Sequence, residues 1–196
     1  MELRDTIRLE MNDEAAMGRV KNGEVKELDV LFRRHSGALY GYFYGMCRNA
    51  ALSEDLVQEA FWRILRFRET FDENYSFKAW LYRISRNLYI DRMRREKNRT
   101  EIAIEYIGEQ EDEKAPTGYD AAVNQDDRER LRSALEALPH EQREVLVLAR
   151  YKGLGFKAVG EILGCSEGTA KVRAFRALQA LRTQYFQEKG VSSNEA

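Results

Sequence analysis

Apolar residues return at three- and four-residue steps along most of this chain, and prolines almost never interrupt them. In 196 residues there are two prolines, Pro116 and Pro139. Leu28, Leu31, Phe32, Leu39, Tyr40, Phe43 and Tyr44 keep the step early on, and late in the chain Val145, Leu146 and Leu148 fill the buried side of a helix. A period near 3.6, with little Val/Ile/Thr alternation, predicts helices and gives no signal for a sheet. The chain is therefore expected to be all-α. Its 43% hydrophobic content supplies one sizeable core or two small ones.

The periodic text falls into blocks. Residues 1–22 are polar and read as an N-terminal arm, either a short helix or a loosely ordered lead-in. Residues 23–99 form a first helical domain. Residues 100–125 are acidic, contain Pro116-Thr117-Gly118 and lack an apolar period, which marks a flexible linker. Residues 126–189 form a second helical domain, in which Leu131, Leu135 and Leu138 make a stripe before Pro139 opens a further helix. Residues 190–196 are a tail.

Charge follows the same division. The net charge of −1 averages over a segregated distribution. Between 81 and 100, Arg83, Arg86, Arg92, Arg94, Arg95, Lys97 and Arg99 outweigh Asp91 and Glu96. Residues 101–136 are acid-rich, and residues 137–189 are again basic. Two basic lobes flanking an acidic connector say more about partners than the total does.

The most specific local pattern is FKAVGEILGCSEGTAKVRAFRALQALR, Phe156 to Arg182. It reads as helix, tight turn, helix. Gly164 supplies a positive φ to end the first helix, and Ser166 is a good N-cap for the second. Ala170, Ala174, Ala177 and Leu181 share one small-residue stripe, while Lys171, Phe175, Arg176 and Gln179 lie opposite. A ring and two cations facing solvent after such a turn fit a DNA recognition helix. An αα-hairpin with a solvated basic face is the plain alternative.

Two further stretches carry chemistry. From Ser53, the expected N-cap, to Phe67, Leu56, Val57, Ala60, Phe61 and Ile64 form an apolar face; Asp55, Gln58, Glu59, Trp62 and Arg66 gather opposite. A large ring on a charged face calls for a partner, either a second protein or a neighbouring element of this chain. The segment Phe77 to Lys97 puts Trp80, Leu81, Ile84 and Leu88 on a core side. Tyr82, Arg86, Tyr89 and Met93 form another stripe, beside Arg83, Asn87 and Arg94. Cations interleaved with rings suit single-stranded DNA, with Tyr75 and Phe77 adding more rings. The plain alternative is a basic amphipathic helix whose tyrosines are half-buried.

Other classes find no support. Gly153-Leu154-Gly155 lacks the strand–helix context and the Lys of a phosphate loop, and no Ser or Cys stands in a nucleophile motif. Cys47, Cys165, His35 and His140 are scattered, without metal-ligand spacing, so no metal or cofactor is expected. The first residues, MELRDTIRLEMND, are too charged for a signal peptide, and no apolar run nears the ~18 residues of a membrane span. A cytoplasmic protein with reduced thiols and no membrane insertion is expected.

Taken together, LSEDLVQEAFWRIL, FKAWLYRISRNLYIDRMRRE and the run from ALEALPHEQREV to EGTAKVRAFRALQALR, in that order, resemble the bacterial extracytoplasmic-function sigma factors. The likeness covers about Glu24 to Arg182. It implies a promoter-specificity subunit, not an enzyme, that binds core RNA polymerase (the β′ clamp helices and β). It further implies recognition of a −35 element as duplex and a −10 element as single strand, with help in melting, and an anti-sigma partner. Residue by residue, it puts Asp55, Gln58, Glu59 and Trp62 at the polymerase. It puts Tyr75, Ser76, Phe77, Arg83, Arg86 and Asn87 at the −10 strand. At the −35 element it puts Thr169, Lys171, Val172, Arg173, Phe175 and Arg176. Lys157-Ala158 and Ala170-Lys171-Val172 depart from the family's usual residues, which bears on the −35 sequence and not on the fold. Two rival classes are an ordinary helix-turn-helix regulator, which has no use for the basic Trp80–Arg99 helix, and a sigma mimic, which has no use for the seven cations of residues 81–100.

Overall fold

A computed structural model of the chain describes residues 11–102, 125–150 and 154–191, and among these every regular element is helical. The chain divides into two compact units, Met1–Ala115 and Pro116–Ala196. The linker expected over residues 100–125 lies almost wholly outside the described residues.

The first unit contains α1 (Asp13–Lys21), α2 (Leu28–Cys47), α3 (Ala50–Arg66) and α4 (Phe77–Ile102), with single 3-10 turns at Val25–Glu27 and Arg68–Thr70. Part of the polar arm is thus a helix. Asn12 caps α1, its Oδ1 accepting from Ala15 N at 2.7 Å, and Ala16, Met17 and Val20 are fully buried. Three apolar residues spaced i, i+1, i+4 are enough to dock so short a helix. Asp13 secures it to α2 by accepting from Arg34 Nη1 at 2.9 Å and lying 2.8 Å from His35 Nε2.

The start of α3 differs from expectation. Its N-cap is Asn49, in extended backbone, whose Oδ1 accepts from Leu52 N at 2.6 Å. Ser53 is fully buried one turn inside and donates to the Asn49 carbonyl. An amide one residue past the left-handed Arg48 reaches the free N–H groups sooner than Ser53 could, so the helix gains a turn. The apolar face is as expected: Leu56, Val57, Ala60, Phe61 and Ile64 are all buried.

On α4 the tyrosines depart from the single-strand reading. Tyr82 and Tyr89 are 4% exposed. The Tyr82 ring meets Tyr42 edge-on at 5.5 Å, and the Tyr89 hydroxyl donates to the Met46 carbonyl at 3.2 Å. The Tyr82 ring finds a large aromatic partner and the Tyr89 hydroxyl a carbonyl acceptor inside the bundle. The outward face of α4 therefore carries cations and Asn87, without interleaved rings.

The second unit contains α5 (Gln125–Glu136), α6 (His140–Arg150), α7 (Phe156–Leu163) and α8 (Glu167–Val191). Arg143 explains the tight α5–α6 connection: its guanidinium donates to the carbonyls of Leu135 at 3.0 Å and Leu138 at 3.2 Å. These carbonyls lie at and just beyond the end of α5, where a cation also favours the dipole. Pro139 precedes α6 directly, where its missing N–H costs nothing. Ala134, Leu138, Val145, Leu148, Val159, Ile162, Ala170 and Ala177 form the core of this unit.

Candidate nucleic-acid interface

The turn between α7 and α8 is built as the sequence requires. Gly164 ends α7 at φ 69°, and Ser166 Oγ accepts from Thr169 N at 3.1 Å. Gly160 is buried, and a Cβ there would lie 2.6 Å from the Cys165 carbonyl oxygen. This glycine lets the turn fold back onto α7. On the other side Ala170, Ala174 and Ala177 are buried, so the first turns of α8 approach their neighbours on methyl groups.

Burying alanines leaves the large residues of α8 outside. Lys171, Val172, Arg173, Phe175 and Arg176 are all exposed, with Phe175 at 63% and Val172 at 50%. Thr169 is exposed too, but its hydroxyl already shares a 2.8 Å hydrogen bond with Ser166, so it helps close the cap. Lys171 pairs with Glu167 at 2.6 Å along the helix, and this bond holds the Glu167 carboxyl below its ordinary range. Both partners are half in water, so the pair is weak.

The second surface lies on α4 and the loop before it. Arg83 and Asn87 stand exposed one turn apart, and Arg86 is half-buried beside them. Tyr75 is 64% exposed and Ser76 is exposed at the helix start. Phe77 is different: its side chain is fully buried, with its ring 5.3 Å from His35 and 6.1 Å from Phe71. It cannot stack on a base. The alternation of a loop entering a helix hides this, because Tyr75 and Phe77 look equivalent in sequence while only the latter turns inward. An Asx turn shapes the loop, with Asn74 N donating to Asp72 Oδ1 at 3.0 Å.

A third surface is the groove between α3 and α4, about 620 Å³, lined by Asp55, Gln58, Glu59 and Trp62 from α3 and Asp91, Arg92 and Arg95 from α4. Trp62 is 53% exposed, and the Arg66 guanidinium lies 5.3 Å from its ring centre. Arg63 bridges the helices, reaching Glu59 at 3.2 Å and Asp91 at 3.4 Å. A rim of mixed acids and arginines around an exposed indole has the make-up of a protein-binding surface.

Two helical units, one with a basic helix and an exposed loop, the other a helix-turn-helix with a mixed cationic and apolar outer face, define a bipartite nucleic-acid-binding protein. Residues 31–99 match sigma-70 region 2, and residues 128–181 match sigma-70 region 4. The chain is 32% identical over 169 residues to the RNA polymerase sigma factor CarQ of Myxococcus xanthus, spanning 85% of this chain and 93% of that protein. It is 32% identical over 187 residues to the ECF RNA polymerase sigma factor SigW of Bacillus subtilis, spanning 90% and 98%. Among solved structures it is similar to the sigma factor RpoE of Bartonella quintana, crystallised with the anti-sigma factor NepR: TM-score 0.69, 25% identity, 81% of this chain and 96% of that one. The chain belongs to the sigma-70 family, in its extracytoplasmic-function group, and is a promoter-recognising sigma subunit of RNA polymerase. No described helix is long and apolar enough to cross a membrane.

Proposed function

We propose that the three surfaces divide the work of initiation. Asp55, Gln58, Glu59 and Trp62 dock on the β′ clamp helices of core polymerase. Tyr75 and Ser76, with Arg83, Arg86 and Asn87, hold the −10 element once its strands part and so assist melting. Lys171, Val172, Phe175 and Arg176 enter the major groove at −35, with Thr169 and Arg173 near the phosphates. The boundaries at 22, 99, 125 and 189 delimit these parts, and residues 100–125 act as the tether. The protein works in the cytoplasm, adds no catalytic group to the polymerase, and is held in check by an anti-sigma protein, as the Bartonella sigma factor's complex supports.

One observation carries this reading: a helix buried on alanines turns Val172, Phe175 and three cations outward together. On the surface of a free protein such rings and methyls are exposed at a cost, whereas thymine methyls and guanine O6/N7 in the major groove match them. Reconstitution with core polymerase, followed by mapping of transcript 5′ ends across genomic DNA, tests the reading. Starts sharing paired upstream elements are expected. Duplex binding without any polymerase-dependent start would sink it in favour of an ordinary helix-turn-helix regulator.

A further inference from the structure

The loop before α4 is anchored by a segment far away in sequence. Glu14 Oε1, on α1, accepts from Phe77 N at 2.9 Å, capping the first N–H of α4 from a distance of 63 residues. Ser76, the local capping residue, reaches Ala79 N only at 3.4 Å. Lys21, at the other end of α1, donates from Nζ to the Phe71 carbonyl at 2.8 Å. Between these points lie residues 72–76, with the Glu73 carboxyl so close over Gly18 that a Cβ there would approach it to 2.7 Å. Phe71 and Phe77, at the two ends, are buried against each other and Trp80, and His35, held by Asp13 of α1, lies against Phe77. Both ends of the loop are thus fixed to the same short helix, while Tyr75 at its crest stays free.

We propose that α1 is a brace for the −10 reading loop, with Glu14 and Lys21 as positioning residues that set where Tyr75 and Ser76 meet an unpaired base. This rests on the reading that those two residues face the −10 strand. The physical reason is geometric. A helix N-terminus whose first N–H is unsatisfied frays, and the adjoining loop residues acquire freedom that must be lost again on binding. A carboxylate supplied from another element fixes the start of α4 and favours its positive dipole end. Lys21 fixes the opposite end. With the loop held before DNA arrives, discrimination between bases rests on a single geometry and not on an ensemble.

The test uses full-length protein with core polymerase and a panel of premelted bubbles differing at single −10 positions. Glu14→Ala is expected to lower the ratio of affinities for preferred and substituted bases by about tenfold, equivalent to about 1.4 kcal/mol. Glu14→Gln keeps an oxygen acceptor for Phe77 N and is expected to restore most of the ratio. Lys21→Met, which leaves the cap intact, is expected to lower it about threefold, and it carries the test alone if Glu14→Ala does not fold. Affinity for −35 duplex is expected to stay unchanged in all three. The brace is refuted if Tyr75→Ala abolishes base preference while Glu14→Ala and Lys21→Met retain it. It is equally refuted if Glu14→Ala and Glu14→Gln are equally defective, or if −35 affinity falls by the same factor. Retention of full preference by Tyr75→Ala would overturn the loop's reading role, and the brace with it.

Discussion

Gly160→Ala tests whether the helix-turn-helix depends on a missing side chain. A glycine inside a helix ordinarily costs about 1 kcal/mol against alanine, so by propensity alone the substitution should stabilise. At this site the new Cβ would meet the Cys165 carbonyl oxygen at 2.6 Å, with Ser166 C at 3.2 Å and Glu167 N at 3.3 Å. All three neighbours are backbone, and they form the turn itself, so none can swing aside as a side chain would. Overpacking of this kind costs about 1–3 kcal/mol and moves what it touches. Offsetting the propensity gain leaves a net loss of up to about 2 kcal/mol. In a helical unit of this size each kcal/mol lowers Tm by about 4–8 °C. Two controls separate causes. Gly168→Ala meets nothing nearer than Ser166 Oγ at 3.9 Å and should be neutral or stabilising. Gly164→Ala, at φ 69°, should lose about 1–2 kcal/mol through backbone strain without a clash. Calorimetry and −35 duplex affinity of the full chain are the measurements, and Gly160→Ala should also weaken binding because α8 shifts. A Gly160→Ala protein as stable as wild type, binding duplex equally well, would refute the close-approach argument.

Three further outcomes are expected. Asp55→Ala with Gln58→Ala should weaken capture of core polymerase while circular dichroism stays helical; unchanged pull-down would remove the α3 face from the interface. Asn87→Ala should leave −35 duplex affinity intact yet change the preferred −10 base on premelted bubbles, and an unaltered preference would show that Asn87 is not a reader. Asp13, held chiefly by its hydrogen bond to His35, has its carboxyl lowered from the ordinary 3.8 to about 2. Because the folded value lies below the unfolded one, the stabilisation, about 2 kcal/mol, is complete above about pH 4 and lost as pH falls towards 2. Asp13→Asn should therefore be less stable than wild type at pH 7, with the gap closing below pH 4; a constant gap in urea unfolding at both pH values would contradict this.

The features legible in the sequence were those fixed within one or two helical turns. Gly164, Ser166 and the alanine stripe of α8 each act on near neighbours, and period and cap chemistry record such effects directly. The buried face of α3 was legible for the same reason. Its start was not, because Asn49 and Ser53 are both competent caps one turn apart, and the choice follows from how α2 ends at Arg48. The inward turn of Phe77, Tyr82 and Tyr89 is not legible in the sequence, because a ring has no fixed preference for inside or outside. Its fate depends on whether a partner such as Tyr42 or the Met46 carbonyl stands opposite. The role of Glu14 is less legible still, since a capping bond across 63 residues leaves no periodic trace. Only Asn12 followed by Ala16, Met17 and Val20 hinted that the polar arm held a docked helix.

The two helices proposed to meet DNA, α4 and α8, divide packing and exposure in opposite ways, and this limits what each could recognise. In α8 the buried side is alanine, so the bulk falls outside: Val172, Phe175 and Leu178 are each at least 50% exposed. Such a helix can press methyls and a ring against thymine methyls in an intact groove, where only base edges are available. In α4 the buried side takes Trp80, Tyr82, Leu88 and Tyr89, and Arg83 and Asn87 stand outside. That face can bond phosphates and one base edge, yet Arg83 and Asn87 add no aromatic ring to it. An unpaired base that has lost its neighbours needs a stacking surface, worth about 1–3 kcal/mol. Tyr75, at 64% exposed, is the exposed ring the adjoining loop supplies. If the loop meets the −10 strand as proposed, Tyr75 is the ring there that can stack on a parted base, and the bonds that anchor the loop at both ends would then bear on promoter choice.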